Sequence, residues 1–158
     1  MQIQPFFGAH SKIEVAIAIL HQPGRFLMQL RDDIPTIRYP GHWAFFGGHL
    51  EPGETPDDGI SRELLEEINF VPPNLKLYRS YTDTIATTDS PVIRHVYHAP
   101  LKADLSTLIL NEGWDMDFLS YSDIRNGEAY SKLAQKICPI GTPHQAILLN
   151  FIQDVHLL

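Results

Sequence analysis

Ile13-Glu14-Val15-Ala16-Ile17-Ala18-Ile19-Leu20 is an almost unbroken apolar run, β-branched and short enough to be one largely buried strand. His21-Gln22-Pro23-Gly24 interrupts it, and Pro-Gly suits the two central positions of a type II turn. Residues 25–31 then run back as a second strand, which predicts a hairpin. A Pro-containing loop over residues 32–41 leads to His42-Trp43-Ala44-Phe45-Phe46, a short aromatic strand predicted to end at Gly47-Gly48.

Helical signals follow. Thr55-Pro56-Asp57-Asp58 supplies an N-cap oxygen, a proline for the first turn and two acids for the positive end of the dipole. On a helical wheel Ile60, Leu64, Leu65 and Ile68 share a face apart from Glu63, Glu66 and Glu67. The helix is expected to bury the first set and hold the acids at the rim of a cleft. Asn69 suits the left-handed position that ends a helix, and Val71-Pro72-Pro73 forbids continuation.

Residues 75–85 and 92–101 read as longer strands joined by a polar link over 86–91. Residues 107–110 and 116–119 are shorter strand candidates around Glu112-Gly113. Thr142-Pro143 begins a closing helix whose buried stripe is Ala146, Ile147, Leu149, Phe151 and Ile152. Strands on both sides of a central helix, plus this last one, predict an α/β sandwich with a mixed sheet, in one domain over residues 1–158.

Composition bounds what such a domain does. The chain is 44% apolar and 20% charged, ordinary for a globular protein. Its net charge of −7 argues against a protein that tracks along a nucleic-acid polymer. Cys138 is the only cysteine, so no intramolecular disulfide forms and a reducing cytoplasm is the expected location. Neither a membrane span nor a signal peptide is indicated by hydropathy or by the first five residues.

The chemistry is concentrated between Gly47 and Glu67. Glu63, Glu66 and Glu67 stand at i, i+3 and i+4, so on a helix they fall within a wedge of about 100°. Like charges that close repel one another, and a divalent cation removes the repulsion. The glycines of Gly47-Gly48 and Gly53 let the backbone approach a ligand, and a backbone carbonyl can join the helical carboxylates. Coordination by oxygen alone suits Mg²⁺ or Mn²⁺. Arg62 adjoins the acid face and can pair with Glu54. The implied reaction is metal-assisted hydrolysis of a small anionic substrate.

Gly48, five residues, Glu54, seven residues, then Arg62-Glu63-Leu64-Leu65-Glu66-Glu67-Ile68-Asn69-Phe70 resembles the signature box of the Nudix hydrolase family. The resemblance covers 23 of 158 residues directly. One position departs: Asn69 stands where the family has a glycine, at a modest expected cost in stability. The resemblance implies a Nudix-like α/β/α sandwich with a mixed central sheet. It further implies a pyrophosphohydrolase that cleaves a nucleoside diphosphate derivative by water attack on phosphorus. Carried onto this chain, Glu63, Glu66 and Glu67 are the Mg²⁺ ligands, with the Gly47 carbonyl. Arg62 and Glu54 orient them, and Gly48 and Glu54 lie against the substrate. Glu112 is the candidate general base or a further metal ligand, with Glu63 as its rival for the base. Arg31 is a candidate phosphate contact. Homodimers are common in the family, which leaves both a monomer and a homodimer open.

Two other readings compete. A nucleotide-sensing module on the same scaffold usually loses box acids, and this chain keeps them. An isoprenoid isomerase would want a reactive cysteine near the site, while Cys138 sits late in the chain. Nucleoside triphosphates, nucleotide sugars and ADP-ribose all remain open as substrates, since specificity belongs to the loops over 32–41, 86–91 and 112–117.

Overall fold

Strand β1 (Ile13–Gln22) sends alternate side chains into two separate cores. Ala16, Ala18 and Leu20 meet Ile60, Leu64 and Ile68 on one face, while Ile17 and Ile19 meet Ile147, Leu148, Phe151 and Ile152 on the other. Burial on both faces is why its sequence is apolar throughout rather than alternating. The computed structural model describes residues 12–84 and 91–155, so the first eleven residues and most of the polar 86–91 link lie outside it.

The sheet is mixed. Strands β2 (Arg25–Leu30), β3 (Trp43–Ala44), β4 (Phe46–His49), β5 (Lys76–Thr84), β6 (Pro91–Pro100) and β7 (Asp115–Ser120) join β1 in it. The order β3-β2-β1-β6-β5 forms its spine, with β4 beside β1 and β7 beside β2. Among the strands described in this sheet, β1 and β6 pair in parallel and the other strand pairs are antiparallel. Helix α1 (Pro56–Ile68) covers one face; α2 (Tyr121–Asn126) and α3 (Thr142–Val155) pack on the other. The α/β/α sandwich is therefore observed. Among the described residues, no helix is long and apolar enough to cross a membrane.

Several expectations need correction. The aromatic strand breaks at Phe45: β3 pairs with β2, and β4 switches to β1. Gly47 and Gly48 do not end that strand but belong to β4, where Gly47 pairs with Ile17. A Cβ at Gly47 would lie 2.1 Å from the Ala16 carbonyl oxygen, so the pairing itself demands glycine. Residues 107–110 form no strand; a short 3₁₀ turn at Leu105–Thr107 takes in the first of them. Their backbone turns instead to the end of α1, with the Ile109 and Asn111 amides donating to the Ile68 and Glu67 carbonyls. Leu65 is 52% exposed, one helical step off the buried line of Ile60, Leu64 and Ile68. Helix α3 buries Leu148 as well as Ile147, Phe151 and Ile152, leaves Leu149 half-buried and exposes Ala146. Helix α2 and the hairpin of β8 (Glu128–Ser131) and β9 (Lys136–Pro139) were not foreseen; each is six residues or fewer, too short for periodicity to register.

Candidate active site

Helix α1 begins as expected. Thr55 caps it by accepting from the Asp58 amide at 3.2 Å, and Asp57 and Asp58 occupy the first turn. It ends at Asn69, whose φ of 55° is left-handed and whose amide donates to Leu65. Burying Ile60, Leu64 and Ile68 fixes the rotation of the helix, and with it the direction of the acids. Glu67 does not sit at a rim. It is 4% exposed and points into β4, where its Oε2 accepts from the Gly47 amide at 2.7 Å and its Oε1 from Gln29 Nε2 at 3.4 Å.

Arg62 organises the acids on its other side. Its Nε and Nη2 meet both oxygens of Glu54, at 2.7 and 2.9 Å, a bidentate pair. Nη2 also donates to the His49 carbonyl at 3.1 Å. Nη1 reaches Glu63 at 3.0 Å and both oxygens of Glu66 at 3.3 Å. Glu54 is further tied to its own loop by the Glu51 amide at 3.0 Å. Gly48 serves Glu63 directly, since a Cβ there would come within 2.6 Å of Glu63 Oε1. What the structure shows of the two glycines is room for β1 and for the carboxylates; the Gly47 group engaged is its N–H.

Beside Glu67 opens a cleft of about 420 Å³, lined by Gln29, Arg31, Asp32, Glu67, Asn111 and Glu112, with Ile34 and Ile37 as apolar wall. The structure thus gathers Glu112 and Arg31, far apart in sequence, around the same space. Asn111 is the reason for the first. Its amide and its side chain donate to the Glu67 and Glu66 carbonyls, at 2.8 and 2.9 Å, pinning the loop to the last turn of α1. Arg31 follows the last residue of β2. Neither Gln29 nor Asn111 was singled out from the sequence. A lone polar residue in the run Phe26-Leu27-Met28-Gln29-Leu30 was a usable signal for the first; nothing local marks the second.

The electrostatics are those of a site short of positive charge. Burial pushes the Glu67 carboxyl up to about 8, with Glu63 and Glu112 adding to the rise against the Gly47 hydrogen bond. Burial also raises Glu63, against the pull of Arg62. Glu54, gripped by Arg62, falls to about 2. Among the described residues, no three His, Cys, Asp or Glu side chains are arranged to hold a metal ion. The Arg62 guanidinium takes the place of counter-charge to Glu63 and Glu66 instead. The donor set still fits a hard cation: it is all oxygen, it carries excess negative charge, and Glu66 is 54% exposed.

Residues 10–136 match the NUDIX domain. The chain belongs to the Nudix family. Among curated Nudix relatives, the nucleoside triphosphatase NudI of Escherichia fergusonii is 34% identical over 55 residues. That stretch is 34% of this chain and only 38% of the relative's length. Among solved structures, the NUDIX domain of Shewanella oneidensis NrtR, complexed with ADP ribose, superposes with a TM-score of 0.71 at 15% identity. The superposition covers 97% of this chain and 94% of that one. The bifunctional NMN adenylyltransferase/ADP ribose pyrophosphatase of Francisella tularensis, complexed with AMP and a Mn ion, gives 0.64 at 20% identity, covering 93% and 43%. At such identities the two structures speak for the Nudix fold.

Proposed function

We propose that this Nudix chain is a divalent-cation-dependent pyrophosphohydrolase acting on a small nucleoside diphosphate derivative. The observation that carries the reading is Glu67, buried, held at both oxygens and flanked by Glu63 and Glu112. Such a cluster is costly for a fold and useful to a cation. Glu63, Glu66 and Glu67 would hold Mg²⁺ or Mn²⁺, with the Gly47 carbonyl as a further oxygen. When bound, the cation neutralises charge on the phosphoryl oxygens and makes a water more acidic. Arg62 and Glu54 keep the carboxylates oriented. Glu112, exposed at the cleft, takes the proton of the attacking water; Glu63 is less suited because Arg62 grips it at 3.0 Å. Arg31 contacts a substrate phosphate, Gly48 allows its close approach, and Ile34 and Ile37 provide an apolar surface for the nucleoside.

Nucleoside triphosphates are the favoured substrates, because nucleoside triphosphatases named NudI are among the curated relatives. ADP-ribose is the second class to test, given its presence in the NrtR complex. The reading envisages a cytoplasmic enzyme acting as one domain, as a monomer or a homodimer. An isomerase role is disfavoured: Cys138 is buried in β9 and burial raises its thiol, the opposite of an activated cysteine. The deciding experiment is a hydrolysis panel of nucleoside triphosphates, nucleotide sugars and ADP-ribose with Mg²⁺ and Mn²⁺, with products identified. Cation-dependent release of a nucleoside monophosphate from at least one class is expected. Tight nucleotide binding without any release would overturn catalysis in favour of a sensing module.

A further inference from the structure

Gln29 is a polar side chain in the middle of a buried strand, 4% exposed, between Ala44 of β3 and Met116 of β7. It shares a strand face with Leu27, which packs into the core beneath α1. Its amide nitrogen donates to the Phe45 carbonyl at 3.2 Å and to Glu67 Oε1 at 3.4 Å. Both partners are acceptors, so the amide has one sensible orientation; reversed, its oxygen would face a carbonyl and a carboxylate. Phe45 is the residue at which the strand switches from β2 to β1, so the same amide ties that break to the acidic helix. The loop carrying Glu112 closes over it as well. A Cβ at Gly113, where φ is 99°, would lie 3.1 Å from Gln29 Oε1.

We propose that Gln29 is the positioning residue for Glu67, fixing the carboxylate so that each oxygen has one protein donor and keeps lone pairs for a cation. The inference rests on the catalytic reading above. Gly47 holds Oε2 from β4 and Gln29 holds Oε1 from β2, so Glu67 cannot swing without breaking one of them. A buried amide is worth its cost only where it is bonded, and this one has two acceptors. One bond of the amide ties the strand break at Phe45, and the other reaches the site at Glu67.

The test uses Gln29→Met, of similar length without a donor. Mn²⁺ titration is followed by the electron paramagnetic resonance of the free ion, alongside melting in chelator and steady-state kinetics. Gln29→Met is expected to bind Mn²⁺ roughly 10–100-fold more weakly than the unaltered protein, as loss of an outer hydrogen bond to a ligand does elsewhere. The fall should appear in kcat rather than in KM for the nucleotide. In a Glu67→Gln background, Gln29→Met should change Mn²⁺ affinity no further. Mn²⁺ affinity within about twofold of the unaltered protein, with only the melting temperature lowered, overturns the inference alone. An additive loss on top of Glu67→Gln overturns it too. No Mn²⁺ binding by the unaltered protein overturns both it and the catalytic reading. If Gln29→Met does not fold, Gln29→Asn, one methylene short of Glu67, is read by the same criteria.

Discussion

Arg62 grips Glu54 with two parallel hydrogen bonds, Nε to Oε2 at 2.7 Å and Nη2 to Oε1 at 2.9 Å, across eight residues of chain. The pair closes the glycine loop onto α1 and leaves Nη1 pointing at Glu63 and Glu66. A lysine ammonium is a single point and cannot serve three carboxylates in a plane. Arg62→Lys should therefore lower kcat/KM roughly 10–100-fold with little change in melting temperature, because the pair is partly solvated. Glu54→Gln should behave in the same way. A collapse of the fold in either variant would show that the grip is structural.

Gly47 and Gly48 separate two kinds of glycine requirement. A Cβ at Gly47 collides with backbone, 2.1 Å from the Ala16 oxygen, at a φ of 135°. Gly47→Ala should cost about 2–4 kcal/mol, read from denaturant unfolding. A Cβ at Gly48 instead meets the end of the Glu63 side chain, at 2.6 Å. That group can move, so Gly48→Ala should keep most of the stability and lose activity by displacing Glu63. Equal stability losses in the two variants would contradict this division.

The site was legible where local rules govern and obscure where contacts are distant. Thr55, Asp57, Asp58 and Asn69 announce α1 because caps and dipole partners lie within a turn of the helix end. The bond between Arg62 and Glu54 could be expected because both residues belong to one spaced motif. The burial of Glu67 could not, since it depends on β4 changing partners at Phe45, which a count of apolar residues does not register. Leu65 was misassigned for a related reason: one helical face touches the sheet over a narrower arc than the wheel suggests. Asn111 and Gln29 act on α1 from 45 and 38 residues away, beyond any local signal.

His21 stacks on His98 with ring centroids 5.7 Å apart, and both pack against Phe151 at the far end of β1 and β6. Burial first, then the charge of His98, lowers His21 to about 4 from 6.5. Between those values the unfolded chain binds a proton that the folded chain refuses. Stability from this group is intact above about 6.5 and drains away as pH falls toward about 4. His21→Phe keeps a ring in the stack and cannot charge. Its denaturation midpoint should fall less than that of the unaltered protein over this window. Parallel midpoint profiles would mean that His21 is not a source of the acid sensitivity.

Glu67 carries the opposite sign, which makes it separable from the histidines. Its folded value of about 8 lies above its ordinary 4.5, because burial and neighbouring acids disfavour the charge. From pH 4.5 to about 8 the folded protein holds a proton that the unfolded chain has released, so stability falls as pH rises and levels off above that window. Glu67→Gln removes this slope. In chelator the variant should be more stable than the unaltered protein at pH 8, with the gap closing toward pH 5. Adding Mg²⁺ should raise the melting temperature of the unaltered protein, most strongly at the alkaline end, where the carboxylate is otherwise uncompensated. The variant should gain little from Mg²⁺ and lose activity by roughly 100-fold. If Mg²⁺ stabilises both proteins equally, Glu67 is not a ligand and its burial must be explained by packing.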